Sequence, residues 1–317
     1  MEGKDGEITD RLFNKKGALI EVHPGCVCIP QGYKHFGERI LDLQIRPDDV
    51  FVVSFPRTGS TWTQELVWLL GHDLDYEGAK LPQQIRAPLL EISAVLSNDE
   101  DILGWVNQNG DLLDLMEQAP SPRYLKSHLM WHLLPRQIET VKPKIIYVAR
   151  NPKDMCVSYY HYCCLVHRMN PDSFEEFCDL FLRGKTAMGN IWDHIFGFWN
   201  RRHEPNILFL KYEDMKKDFM AVIKEVARFL GKNPSEEEII KLEEYLSFKN
   251  MQKNPAVNLK PLMDTLRGED YMGHENRSNF IRKGVVGDWK NYMSLELVSR
   301  FDKWTAENIN GTDFTFD

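Results

Sequence analysis

The sequence predicts an α/β protein with a central, mostly parallel sheet flanked by helices. Three observations predict it. Short apolar, β-branched runs recur at 50–55, 144–149 and 206–211. Helical apolar periods separate them. The first run passes through a small-residue loop directly into a helix, the opening half of a βαβ unit. The strands are too few and too unevenly spaced for an eight-stranded barrel.

Residues 1–45 mix charge with Gly and Pro and read as an irregular lead-in packed on the domain; residues 46–317 read as one domain. Pro56 stops the first strand, and Leu66, Leu69 and Leu70 share one face of the helix that ends at Gly71. Residues 123–127 form a weaker strand candidate. The strand at 144–149 is followed by Asn151-Pro152, a helix entry, and a helix to about 168. Helices are expected near 173–183 and 190–202, then a buried strand at 206–211. A helix from about 214 ends at Gly231, an acidic one covers 235–246, and a last one covers 295–308. Residues 254–279, rich in Pro, Gly, Asn and charge, read as a long functional loop.

Composition bounds the function. The 317 residues carry 39 basic and 47 acidic side chains, a net charge of -8, which argues against a nucleic-acid surface. Hydrophobic residues reach 43%, enough for a large core, yet no apolar run approaches the roughly 20 residues of a membrane span. The charged start Met1-Glu2-Gly3-Lys4-Asp5 has no apolar core of a secretory signal. Six cysteines at 26, 28, 156, 163, 164 and 178 therefore read as free thiols of a cytoplasmic protein. The sequons at Asn276 and Asn310 are then chance matches.

The loop Arg57-Thr58-Gly59-Ser60-Thr61 has the logic of an anion cradle. Its N–H groups and the hydroxyls of Thr58, Ser60 and Thr61 can surround a phosphate, and the following helix adds its positive end. A plain strand-to-helix turn explains this segment alone equally well. The loop lacks G-x-x-x-x-G-K-S/T, which excludes the usual NTPase phosphate loop and its magnesium hydroxyl. Cys26-x-Cys28 with His23 and His35 has no second pair at zinc spacing, so no metal is expected.

Three segments together carry a resemblance. They are Phe55-Pro56-Arg57-Thr58-Gly59-Ser60-Thr61-Trp62, Arg150-Asn151-Pro152-Lys153-Asp154 running to Ser158, and Arg282-Lys283-Gly284-Val285-Val286-Gly287-Asp288-Trp289-Lys290-Asn291. With Lys126-Ser127-His128 and Tyr212-Glu213-Asp214, they resemble the cytosolic sulfotransferases from about residue 45 onward. The resemblance implies a P-loop-like sulfotransferase fold. It implies transfer of a sulfuryl group from 3′-phosphoadenosine 5′-phosphosulfate (PAPS) to a small-molecule hydroxyl, that of an apolar phenol or alcohol. The product nucleotide is adenosine 3′,5′-bisphosphate (PAP), and no metal is needed.

The resemblance also implies roles. His128 matches the catalytic base, and an imidazole suits that task near neutral pH. Arg57 and Lys126 match the cations that stabilise the leaving phosphate. The family usually has lysine where this chain has Arg57, which keeps the charge but cannot give up its proton. A nucleotide-binding homologue with little catalysis is therefore the alternative. Thr58, Gly59, Ser60 and Thr61 match the 5′-side loop. Arg150, Ser158, Arg282, Lys283 and Gly284 match the 3′-phosphate contacts, and Trp62, Tyr212 and Phe248 the adenine contacts. Ser247 and Met251 lie in a further matched segment, Leu246-Ser247-Phe248-Lys249-Asn250-Met251, and Phe280 begins the segment that runs through Arg282 to Asn291. Leu246 stands where the family often has threonine. The family's dimer motif K-x-x-x-T-V-x-x-x-E is degraded here to Lys290, Ser294, Leu295 and Ser299, so a dimer stays open. Segments 83–92, 155–170 and 254–279 are the candidate acceptor walls.

Overall fold

The computed structural model describes residues 3–13, 15–96, 112–167, 169, 173–259 and 280–316. Most of the predicted 254–279 loop, and Asn276 with it, lies outside the described residues. Four strands form one parallel sheet: β3 (Val50–Ser54), β4 (Tyr124–Ser127), β5 (Lys144–Ala149) and β6 (Ile207–Lys211), in the order β4-β3-β5-β6. Val50 aligns with Tyr124 on one side and Lys144 on the other; Ile145 aligns with Ile207.

The sheet is buried on both faces, as its near-continuous apolar strands require. Alternate residues enter opposite cores. Phe51 and Val53 join Ile145 and Tyr147 in one cluster, while Val50 and Val52 join Ile146 and Val148 in the other. A buried ion pair ties the two strand entries together: both oxygens of Asp49, just before β3, accept from Arg123, just before β4.

The lead-in is not irregular. It contains a helix at Gly3–Leu12, an antiparallel hairpin of β1 (Leu19–Val22) and β2 (Val27–Pro30), and a helix at Tyr33–Leu41. Apolar residues set among its charges build core: Leu12, Val27, Ile29 and Ile40 sit in the same cluster as Phe51. The helix expected from 214 is two helices, Tyr212–Lys217 and Phe219–Leu230. Asp218 leaves helical geometry between them, and its carboxylate caps the second by accepting the Ala221 N–H at 3.0 Å. The short helices Gln83–Arg86, Ile92–Leu96, Leu112–Gln118, Ile138–Val141 and Phe248–Lys253 are not among those expected. Six helices fall close to expectation: Ser60–Gly71, Pro152–Val166, Phe174–Leu182, Ile191–Trp199, Glu236–Tyr245 and Leu295–Ile309. Asn151, Ser173, Asn190, Ser235 and Ser294 cap five of them through their side chains. No described helix is long and apolar enough to cross a membrane.

The chain leaves β3 for β4 on one side and later returns to β5 on the other. That reversal opens a crevice outside the carboxyl ends of the strands, where ligands bind in open α/β sheets. The residues after β3, β4, β5 and β6 are those singled out from the sequence.

Candidate active site

A cleft of about 220 Å³ opens at these strand ends. Arg57, Gly59, Ser60, Thr61, Trp62, Lys126, His128, Arg150, Ser158, Tyr212, Phe248, Met251, Phe280, Arg282, Lys283 and Gly284 all line it. Two predicted residues do not. Thr58 is buried and its hydroxyl donates to the Phe55 carbonyl at 2.9 Å, so that proton is not free for an anion. Ser247 sits at the start of the short Phe248–Lys253 helix, outside the cleft lining.

The cleft is strongly cationic. Six basic side chains line it (Arg57, Lys126, Arg150, Lys216, Arg282, Lys283), and no described carboxylate does. The chain as a whole carries -8, so the positive charge is concentrated here against the overall balance. Lys216 was not singled out from the sequence. It follows Tyr212 by four positions on one helix and sits over the Trp62 ring at 5.5 Å, a helical spacing that could have been read.

Arginines stitch the three motif segments into one wall. Arg57 donates Nε to Ser158 Oγ at 3.2 Å and Nη2 to the Phe280 carbonyl at 2.7 Å, with the Phe280 ring 4.6 Å away. Arg150 donates to the carbonyls of Arg57 and Val285 at 3.2 and 3.1 Å and lies over the Tyr212 ring at 4.3 Å. Asp154, from the first turn of the Pro152–Val166 helix, accepts the N–H groups of Gly287 and Trp289 at 2.6 and 3.0 Å. The C-terminal element is thereby pinned beside the β5 end.

Several polar atoms in this wall have no partner among the described residues. Arg150 Nε, Arg282 Nε and Trp62 Nε1 are buried without one, an arrangement that suits groups awaiting a ligand. Arg282 and Lys283 both reach Asp288, at 2.5 and 2.8 Å. Burial opposes ionisation of that carboxyl, but hydrogen bonds from Lys283, Asn291 and Arg282 outweigh it and hold it down at about 2.

Two glycines are required by close approach. A Cβ on Gly284, at φ +63°, would meet the Phe248 ring at 2.3 Å; one on Gly59, at φ +106°, would meet the Tyr212 ring at 2.7 Å. Trp62 stacks on Phe219 with centroids 4.2 Å apart and meets Tyr212 edge-on. The aromatic rings and the backbone of the two loops therefore form one continuous surface.

His128 is held in one tautomer. Its Nδ1 lies 2.8 Å from the Ser54 carbonyl, which can only accept, so Nδ1 carries the proton and Nε2 the lone pair. Burial, then the charge of Lys126, keeps the imidazole neutral to well below its ordinary range. Behind it, His194 Nε2 donates to the His128 carbonyl at 3.1 Å while its Nδ1 accepts from the Tyr147 hydroxyl at 2.8 Å. Burial, followed by the nearby Arg57 charge, lowers Lys126 to about 8. Burial also lowers Arg57 to about 10, still well above neutrality. The site thus holds a neutral base next to cations.

Among the described residues no group of three or more His, Cys, Asp or Glu could hold a metal ion. None of the six cysteines forms a disulfide among the described residues.

The fold, the phosphate-type loop and the base beside cations define a group-transfer enzyme, and comparison with known proteins gives its family. The sulfotransferase domain family matches residues 47–313, and the chain belongs to it. It is 40% identical over 291 residues to luciferin sulfotransferase of Photinus pyralis, covering 89% of this chain and 77% of that protein. It is 36% identical over 282 residues to sulfotransferase 1B1 of Mus musculus, covering 88% of each. A crystal structure of retinol dehydratase with retinol and PAP superposes with a TM-score of 0.87 at 31% identity, covering 100% of this chain and 97% of that one. Mouse sulfotransferase SULT7A1 with PAP gives 0.70 at 26% identity, covering 93% and 96%.

Proposed function

We propose that the protein transfers the sulfuryl group of PAPS to the hydroxyl of a small apolar phenol or alcohol and releases PAP. The observation that carries this is the concentration of six cations and no described carboxylate in one cleft of an acidic chain. A donor with three anionic centres fits such a cleft; an uncharged acceptor fits the rest. The solved neighbours named for PAP, one with retinol and one with androsterone, support the pairing of nucleotide and apolar alcohol.

The mechanism follows from the side chains. His128 Nε2 takes the acceptor's hydroxyl proton as its oxygen attacks sulfur; the bond from sulfur to the bridging phosphate oxygen breaks, and PAP leaves. Lys126 and Arg57 stabilise the charge that grows on that oxygen. Ser60 and Thr61 hold the 5′ side at the helix start, where first-turn N–H groups lack intrahelical acceptors. Arg150, Ser158, Arg282 and Lys283 hold the 3′-phosphate, and Trp62, Tyr212 and Phe248 hold the adenine. Leu89, Ile92, Val95, Tyr162, Val166 and Leu259 line the same cleft with apolar surface for the acceptor.

We place the enzyme in the cytoplasm, a reading that fits six cysteines with no disulfide among the described residues. Neither nucleic acid nor membrane is a partner in this account, and any dimer would use a surface other than the degraded motif. Incubation with labelled PAPS and a panel of phenols, alcohols and sterols tests the proposal. Tight PAP binding without sulfation of any acceptor would favour a non-catalytic homologue.

A further inference from the structure

Glu91 lines no part of the cleft, yet it holds the strand end that delivers two of the cleft's reactive side chains. Its carboxylate is fully buried. Oε1 accepts the backbone N–H of His128 at 2.6 Å, and Oε2 accepts the Ser127 hydroxyl at 2.9 Å. Ser127 Oγ in turn accepts the Leu129 N–H at 3.1 Å. The segment carrying Glu91 is laced to β4: Leu90 N–H reaches the Lys126 carbonyl at 2.8 Å, and Lys126 N–H reaches the Pro88 carbonyl at 2.9 Å. Residues 126–128 are therefore held by residues 88–91, and Leu129 through Ser127.

A buried carboxylate is costly, and an apolar side chain would fill the space without desolvating a charge. The charge has a use here. The ionisable groups whose charge couples to it are Lys126 from β4, Tyr33 from the Tyr33–Leu41 helix and Tyr162 from the Pro152–Val166 helix. Of these only Lys126 is cationic.

We propose that Glu91 is a positioning residue of sulfuryl transfer: it fixes the backbone that carries Lys126 and His128 into the cleft. The proposal rests on the catalytic reading above. Burial pushes the Glu91 carboxyl up to about 7, against the pull of the His128 N–H and the Ser127 hydroxyl. Above that pH it is an anion, over the range in which Lys126, at about 8, begins to lose its proton. Removing the anion lets Lys126 discharge at lower pH.

The test compares full-length wild type, Glu91→Gln and Glu91→Ala. Calorimetry with PAP reports an intact nucleotide site, expected within about threefold of wild type for both variants. Glu91→Gln keeps an acceptor for the His128 N–H but loses the charge. Its alkaline limb of kcat/KM for PAPS is expected to move acidward by about half a pH unit or more. Glu91→Ala is expected to lower kcat by roughly tenfold or more with little change in KM, because the base and cation are no longer aligned. Nitrogen NMR of His128 is expected to show the Nδ1-protonated tautomer in wild type and Glu91→Gln, and a mixture in Glu91→Ala. An unmoved limb in Glu91→Gln, or wild-type kcat with an unchanged tautomer in Glu91→Ala, overturns the proposal. If the wild type sulfates no acceptor, the catalytic reading falls separately, and unchanged His128 signals in Glu91→Ala then overturn the positioning role. If Glu91→Ala does not fold, the limb in Glu91→Gln decides.

Discussion

Arg57 Nε donates to Ser158 Oγ at 3.2 Å, and the same guanidinium holds the Phe280 carbonyl at 2.7 Å. One side chain thus joins the loop after β3, the helix after β5 and the C-terminal element. The fork of an arginine makes this possible; a lysine presents a single nitrogen and cannot span both acceptors in the same way. Arg57→Lys is expected to keep kcat within about tenfold while weakening PAP binding several-fold. Arg57→Ala, which removes the charge, is expected to lower kcat by about 100-fold. Single-turnover rates and calorimetry with PAP check both.

The alkaline limit of the rate is expected to follow Lys126. Its proton affinity is lowered to about 8, by burial first and Arg57 second, so its charge is present below that pH and lost as pH rises through it. His128 remains neutral across this range because its own affinity is lowered well below 6.5. The kcat/KM of the free enzyme for PAPS is therefore expected to fall above about pH 8. Lys126→Arg keeps a charge there, and its profile is expected to lose the limb even if its maximum is lower.

Gly284 admits no side chain. The Cβ of Gly284→Ala would meet the Phe248 ring at 2.3 Å, at a φ of +63° that L-residues rarely adopt. The variant is expected to lose about 1–3 kcal/mol of stability and, by displacing Phe248, to weaken PAP binding about tenfold or more. Thermal unfolding and calorimetry measure the two effects.

Asp154→Ala leaves the N–H groups of Gly287 and Trp289 without their acceptor. The expected cost is about 1–3 kcal/mol per unsatisfied buried group, partly offset by water. Because the same element carries Arg282 and Lys283, KM for PAPS is expected to rise more than kcat falls. Steady-state kinetics with varied PAPS separates the two.

Much of this was legible in the sequence because it is local. Three of the four parallel strands are built on contiguous apolar runs, β4 being the exception, and Asn151-Pro152 and Ser235 announce their helices directly. The cleft residues sit in short motifs at strand ends, so reading the motifs found most of them. What stayed hidden depends on distance in space. The order β4-β3-β5-β6 is set by packing. The elements of the lead-in are short and set among charged, Gly and Pro residues that mask their buried positions, Val27–Pro30 among them. Glu91 meets His128 across 37 positions, and nothing in the residues around Glu91 signals the contact. Thr58 shows the converse: its residue type suits an anion loop, but the turn directs its hydroxyl to Phe55.

The central claim is that His128 takes the acceptor proton while PAPS supplies the sulfuryl group. It is tested most directly with labelled PAPS, an acceptor panel and His128→Ala beside the wild type. The account predicts labelled sulfate ester and PAP formed one for one by the wild type. It also predicts a loss of roughly 100-fold or more in the variant, with PAP affinity nearly unchanged. Equal turnover by His128→Ala, or PAP binding by the wild type with no acceptor sulfated, would contradict it.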